Sequence, residues 1–139
     1  MASFNKFNSF VEAVFEKTHN LQSDTLKVVL TNTAPVSTNT VLADITQISN
    51  GNGYTTGGAT ATVSSSAQSS GIYKLVLADV TWTASGGSMG PFRYAVLYNS
   101  TAASSELIGY WDYGSSVTLA SGESFTWDAD PTTGVIQCT

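Results

Sequence analysis

Charge is scarce in this chain. Of 139 residues, 10 are acidic and 5 basic, so 11% carry charge, against about a quarter in an ordinary globular domain. The cations Lys6, Lys17, Lys27, Lys74 and Arg93 are scattered, and no two are adjacent. Nucleic-acid binding needs clustered cations that displace condensed counterions. A sparse set within a net charge of −5 excludes that partner. Cysteine is almost missing too: Cys138, beside the C-terminus, stands alone, so no intrachain disulfide can form. Secreted domains usually carry their cysteines in pairs, and Cys138 reads as an idle thiol. Long apolar runs are lacking, and none approaches the ~18 residues of a membrane span. Lys6, Glu12, Glu16 and Lys17 break up the first twenty residues, which leaves no signal-peptide core. The expectation is a chain made in a cytoplasm, with no membrane partner and no secretory address of its own.

The catalytic inventory is equally thin. His19 is the sole histidine, and a charged imidazole near a helix C-terminus is explained by the helix dipole. A Ser-His-Asp arrangement would have to use it, far from any nucleophile-bearing turn. One His and one Cys cannot build a zinc site. Asp128 and Asp130, with Thr132 and Thr133, offer oxygens to a calcium ion, but an Asx turn before Pro131 accounts for the same residues. The Gly-rich run at 51–58 lacks the Gly-Lys-Ser/Thr ending of a phosphate loop and reads as a turn. No enzyme activity, metal or cofactor is expected.

What the chain does contain is Ser and Thr, 38 together, 20 Gly and Asn, and 15 aromatics within 42% hydrophobic residues. That is too much apolar surface for a disordered chain. It suits a β-protein with polar, uncharged loops. The length fits one domain, large enough to bury roughly two-thirds of its unfolded surface without disulfides.

Residues 1–20 differ from the rest. Phe4, Phe7, Val11, Val14 and Phe15 recur at three- and four-residue spacing, with Phe10 beside the stripe. The spacing predicts an amphipathic helix from about residue 3 to 18. A helix this short needs a surface to rest on, either its own sheet or a neighbouring subunit. Burying the stripe on the sheet would leave Phe10 to another subunit. Phe4, Phe7, Phe10, Val11, Val14 and Phe15 are therefore the candidate partner interface.

Residues 21–139 switch to strand patterns. Strands are expected at Leu26–Thr31, Ala59–Val63, Ile72–Leu77, Val80–Thr83, Phe92–Tyr98, Leu107–Tyr113, Val117–Leu119, Ser124–Trp127 and Gly134–Gln137. Val41–Ile48 suits a helical turn as well as a strand. Ser64–Gly71 reads as a Ser-rich loop, and Ala120–Glu123 as a hairpin turn. Eight to ten short antiparallel strands with turns every eight to twelve residues describe a single mainly-β domain, a sandwich of jelly-roll type.

Carbohydrate binding is the competing reading of the aromatics. Tyr110-Trp111-Asp112-Tyr113 interleaves rings with a carboxylate, and Trp82 and Trp127 add platforms. Strand alternation puts Tyr110 and Asp112 on one face and Trp111 and Tyr113 on the other. A small sandwich needs such rings for its core, and the core reading is preferred.

Three segments in order carry a resemblance. They are Asp44-Ile45-Thr46-Gln47-Ile48 with the following Gly51–Gly58 run, Ala95–Asn99 with Leu107–Gly114, and Gly122–Thr126 after Val117. From about residue 26 to the C-terminus this series resembles a family of small structural proteins of tailed-bacteriophage virions. The resemblance implies no catalytic residues. It implies a virion component made in the host cytoplasm, foremost a capsid decoration (cement) protein. Such a protein binds the major capsid protein and itself, as a trimer. A tail or tail-tip component and a glycan-binding adhesin domain are the alternatives.

Overall fold

The computed structural model describes residues 2–139. Strand accounts for 45% of the chain and helix for 7%, a mainly-β, sandwich-like fold with one helix. In chain order the elements are β1 (Asn5–Lys6), α1 (Ser9–Phe15), β2 (Leu26–Thr31), a 3₁₀ turn (Leu42–Asp44), β3 (Ala59–Thr60), β4 (Val63–Ser69), β5 (Ile72–Leu77), β6 (Val80–Thr83), β7 (Met89–Asn99), β8 (Leu107–Leu119), β9 (Ser124–Trp127) and β10 (Ile136–Cys138). All pairings are antiparallel. The principal sheet has the order β1-β8-β7-β2-β3, and two smaller sheets are β10-β5-β4 and β6-β9.

The principal sheet is covered on both faces. Leu26, Val28 and Leu30 of β2 and Ala95 and Leu97 of β7 join Leu75, Leu77, Val80, Trp82 and Trp127 from the smaller sheets in the main core. Val29, Val96, Tyr98 and Leu107 point the opposite way and meet Phe7 and Ile45 in a second core. Period-two alternation divides β2 and β7 between the two cores. That is why β2 is buried along nearly its whole length. Across β8 the pairing jumps from Leu97↔Gly109 to Tyr98↔Leu107, a bulge at Ile108. The bulge resets the alternation, so Ile108 enters the main core and Tyr110 packs against the second.

The loops are tied to these strands. The Asp44 carboxylate accepts the Thr40 and Val41 amides at 2.9 and 3.3 Å, closing the 3₁₀ turn. Tyr54, 2% exposed, donates its hydroxyl to Gln47 Oε1 at 2.7 Å, and the same oxygen accepts the Gly57 amide at 2.8 Å. Burial pushes the Tyr54 phenol up to about 12. Gly58, at φ +76°, lies so close to the Val28 carbonyl that a Cβ there would overlap it. The 40–58 segment is thus held to the principal sheet by its polar side chains and close backbone packing.

Four expectations need correction. The helix is seven residues, not a run from residue 3 to 18. Ser64–Gly71 is mostly strand β4, hydrogen-bonded to β5, because ladder pairing does not require apolar side chains at an exposed edge. Leu107–Tyr113 and Val117–Leu119 are one strand, continuous through Gly114 at φ +101°. Ala120–Glu123 does turn, with the Ala120 amide held by Glu123 Oε1 at 2.7 Å, but β9 leaves it to pair with β6 and no hairpin forms.

Candidate functional site

The N-terminal segment is built differently from the expected helix. Asn5 and Lys6 pair with Tyr110 and Gly109 at the β8 edge, and the Phe7 amide continues the ladder to the Ile108 carbonyl at 3.2 Å. In an extended chain Phe4 and Phe7 fall on opposite faces, whereas on a helix they would share one. Phe4 lies over Trp111 with ring centroids 5.3 Å apart, and Phe7 lies against Tyr110 at 5.2 Å in the second core. Phe4 can take this position because residue 109 is glycine, where a Cβ would overlap its ring.

The helix that follows presents its stripe with altered phase. Phe10 is 6% exposed and Val14 packs against the main core, an i, i+4 pair facing inward. Val11 and Phe15, also i, i+4, face outward at 42% and 84% exposure. The expectation that Phe10 remains for another subunit while Phe15 is buried is therefore reversed. Of the six candidate interface residues, Phe7 and Phe10 are core, Phe4 and Val14 are half-buried, and Val11 and Phe15 form an exposed apolar pair.

A second feature lies on the face of β8 that carries Trp111 and Tyr113. A cleft of about 260 Å³ opens between β7–β8 and β9. Phe92 forms its floor at 1% exposure, and Trp111 and Trp127 meet edge to face at 5.0 Å. Tyr113, 57% exposed, stands edge-on to Phe125 at 5.5 Å on the rim. Arg93 also lines the cleft and makes a two-pronged pair with Asp112, Nε–Oδ1 at 2.7 Å and Nη2–Oδ2 at 3.0 Å. The guanidinium beside Asp112 holds its carboxyl below the usual range, helped by the Gly114 amide. Asp128, exposed, completes the lining.

The aromatics expected to belong to the core divide. Trp82 and Trp127 are buried at 4% and 5%. Tyr110 packs on the second core, and Trp111 is half-buried with one side toward the cleft. Trp111 and Tyr113 on β8, and Phe125 and Trp127 on β9, are i, i+2 pairs that point into the same gap. That double period-two spacing is the sequence signal for Phe125, which sequence reasoning missed. Phe92, Arg93 and Asp128 had no comparable signal.

The other residues singled out by sequence serve structure. His19 is 6% exposed, and burial lowers its pKa against the raising effects of Glu106 and Asp24. It is a neutral ring in a buried pocket, not the charged helix-dipole partner expected. Its Nδ1 lies 3.0 Å from Asn99 Nδ2, and its Nε2 has no hydrogen-bond partner among the described residues. Asp130 accepts the Thr132 and Thr133 amides at 2.7 and 3.0 Å and the Thr133 hydroxyl at 2.6 Å. The Thr133 hydroxyl, with both amides, depresses its carboxyl pKa, as an Asx turn should. Gly86-Gly87-Ser88-Met89-Gly90 has nucleophile-elbow spacing. Ser88 leads into β7, not from a strand into a helix, so the elbow context is missing. Among the described residues no group of three His, Cys, Asp or Glu is placed to hold a metal ion. No described helix is long and apolar enough to cross a membrane.

Comparison with known protein families, with characterised proteins and with solved structures finds no match for this chain.

Proposed function

We propose that this chain is a structural component of a tailed-phage virion, a head decoration protein that binds the assembled major capsid protein and associates with itself as a trimer. The observation that carries the attachment role is the outer face of α1. Val11 and Phe15 stand in solvent while Phe10 and Val14 fix the same helix to the core. A rigidly backed apolar pair is suited to insertion into a neighbouring subunit, since its order is already established by the fold. The sequence resemblance supplies the virion context. Low charge and a β-rich fold without disulfides suit a particle that forms in a reducing cytoplasm and persists outside it.

Burying one Phe side chain is worth about 1.5–3 kcal/mol, or roughly ten-fold to more than a hundred-fold in affinity. The expected outcome for Phe15→Ser is a stable protein that binds undecorated particles at least about ten-fold more weakly, read by co-sedimentation. Unchanged binding would remove the helix from the attachment surface. A tail location is distinguished by where labelled protein sits on the particle. The adhesin alternative rests on the cleft and is separable from attachment.

A further inference from the structure

We propose that the cleft between β8 and β9 binds a single neutral sugar ring, such as the terminal hexose of a glycan. At about 260 Å³ it falls below the pockets that hold drug-sized molecules, which span roughly 300–1,000 Å³. Its occupant is therefore about one ring with its substituents, and the exposed Tyr113 and Asp128 leave room for a chain to continue outward. The Trp111 ring, half-buried above the enclosed Phe92, and the exposed Tyr113 ring match the C–H face of a pyranose, an amphipathic ring against amphipathic side chains.

Charge selects the class. Arg93 and Asp112 neutralise each other in their two-pronged pair, and Asp112 lies outside the cleft lining. Among the described residues none hydrogen-bonds the exposed Asp128 carboxylate, which can accept. A sugar hydroxyl can donate to that carboxylate. An anion meets Asp128 and a molecule of net charge −5. A neutral ligand with hydroxyls on its rim escapes that penalty. A cation, which aromatic rings attract, is the competing occupant, and choline tests it. None of the helix residues lines the cleft, so this site stands or falls independently of the attachment face.

The test is titration of the full chain with glucose, galactose and N-acetylglucosamine, with sialic acid and choline as charged controls, followed by the Trp indole N–H signals in NMR. We expect saturable shifts of the Trp111 and Trp127 signals with at least one neutral sugar, at Kd of about a millimolar, and none with either control. Tyr113→Ala removes a mostly exposed ring, and Asp128→Asn removes only charge, so both variants should fold. Each should weaken binding by about ten-fold or more with an unchanged melting temperature. The proposal is overturned if no neutral sugar gives a saturable shift, if binding survives both substitutions, or if sialic acid or choline binds in place of the sugars.

Discussion

Asn99 has no exposed surface, and both ends of its amide are committed. Its Oδ1 accepts the Thr101 and Ala102 amides at 2.9 and 3.2 Å, and its Nδ2 donates to Asp24 Oδ2 at 2.6 Å. Those partners fix the amide orientation, so the remaining Nδ2 proton must go to an unprotonated His19 Nδ1 at 3.0 Å. Protonating His19 would turn that acceptor into a donor and place a charge in a buried pocket, with only Asp24 and Glu106 in opposition. The folded-state pKa lies below the ordinary 6.5, so below that pH the unfolded chain binds the proton more readily than the native one. Stability is then fully present above about pH 6.5 and falls as pH drops toward the lowered value, with a slope of at most about 1.4 kcal/mol per unit from this group. Urea melts of the wild type and His19→Gln across pH 5–8 read this directly, the variant being expected to lose the component centred below pH 6.5. A slope that persists undiminished in His19→Gln would assign it to other groups. Sequence disclosed His19 as solitary, but its burial depends on a partner eighty residues away, which no local pattern encodes.

The helix shows what an element's own spacing can and cannot reveal. It ends in a Schellman arrangement: the Thr18 amide donates to the Ala13 carbonyl at 2.8 Å and the Lys17 amide to Val14 at 3.3 Å. Lys17 takes the left-handed conformation at φ 66°, a place where glycine is the usual residue. With Lys instead of Gly there, the stop was invisible in the sequence. Lys17 is exposed, so Lys17→Gly should relieve backbone strain with little loss of packing. We predict a gain of about 0.5–1 kcal/mol in chemical denaturation, the cost of a left-handed residue less the entropy glycine restores to the unfolded chain. A loss of stability would mean that the lysine stem packs on the helix end. The start of the helix was misread for a different reason. Phe4 and Phe7 at i, i+3 mimic a helical stripe, yet the pair equally suits an extended chain that places one ring on each side of a sheet edge. Strands with apolar, β-branched centres were legible almost to the residue, as Leu26–Thr31, Ile72–Leu77 and Val80–Thr83 show. The Ser-rich β4 was not legible, because its place in the sheet comes from backbone bonds to β5 and its side chains carry no burial pattern.

At the scale of the molecule, the N-terminal segment is a shared part of both cores and not an appendage. Phe7, with no exposed surface, belongs to the second core, and Phe10 belongs to the main one. Truncating a buried Phe to Ala costs about 3–5 kcal/mol, and whole domains are stable by only about 5–15 kcal/mol. Deleting residues 2–18 removes both rings, the β1 pairing at the β8 edge and the cover that Phe4 provides over Trp111. We predict that the shortened chain does not fold cooperatively, shown by loss of the near-ultraviolet aromatic signal and of a sharp thermal transition. A truncated chain that melts within a few degrees of the full one would mean the sandwich closes without the segment. The prediction also dictates how attachment can be examined. A deletion that unfolds the domain abolishes particle binding whatever the helix does, so it cannot distinguish an anchor from a core element. Phe15→Ser can, because Phe15 is exposed and contributes little to either core, and a loss of binding with the fold intact then belongs to the outer face alone.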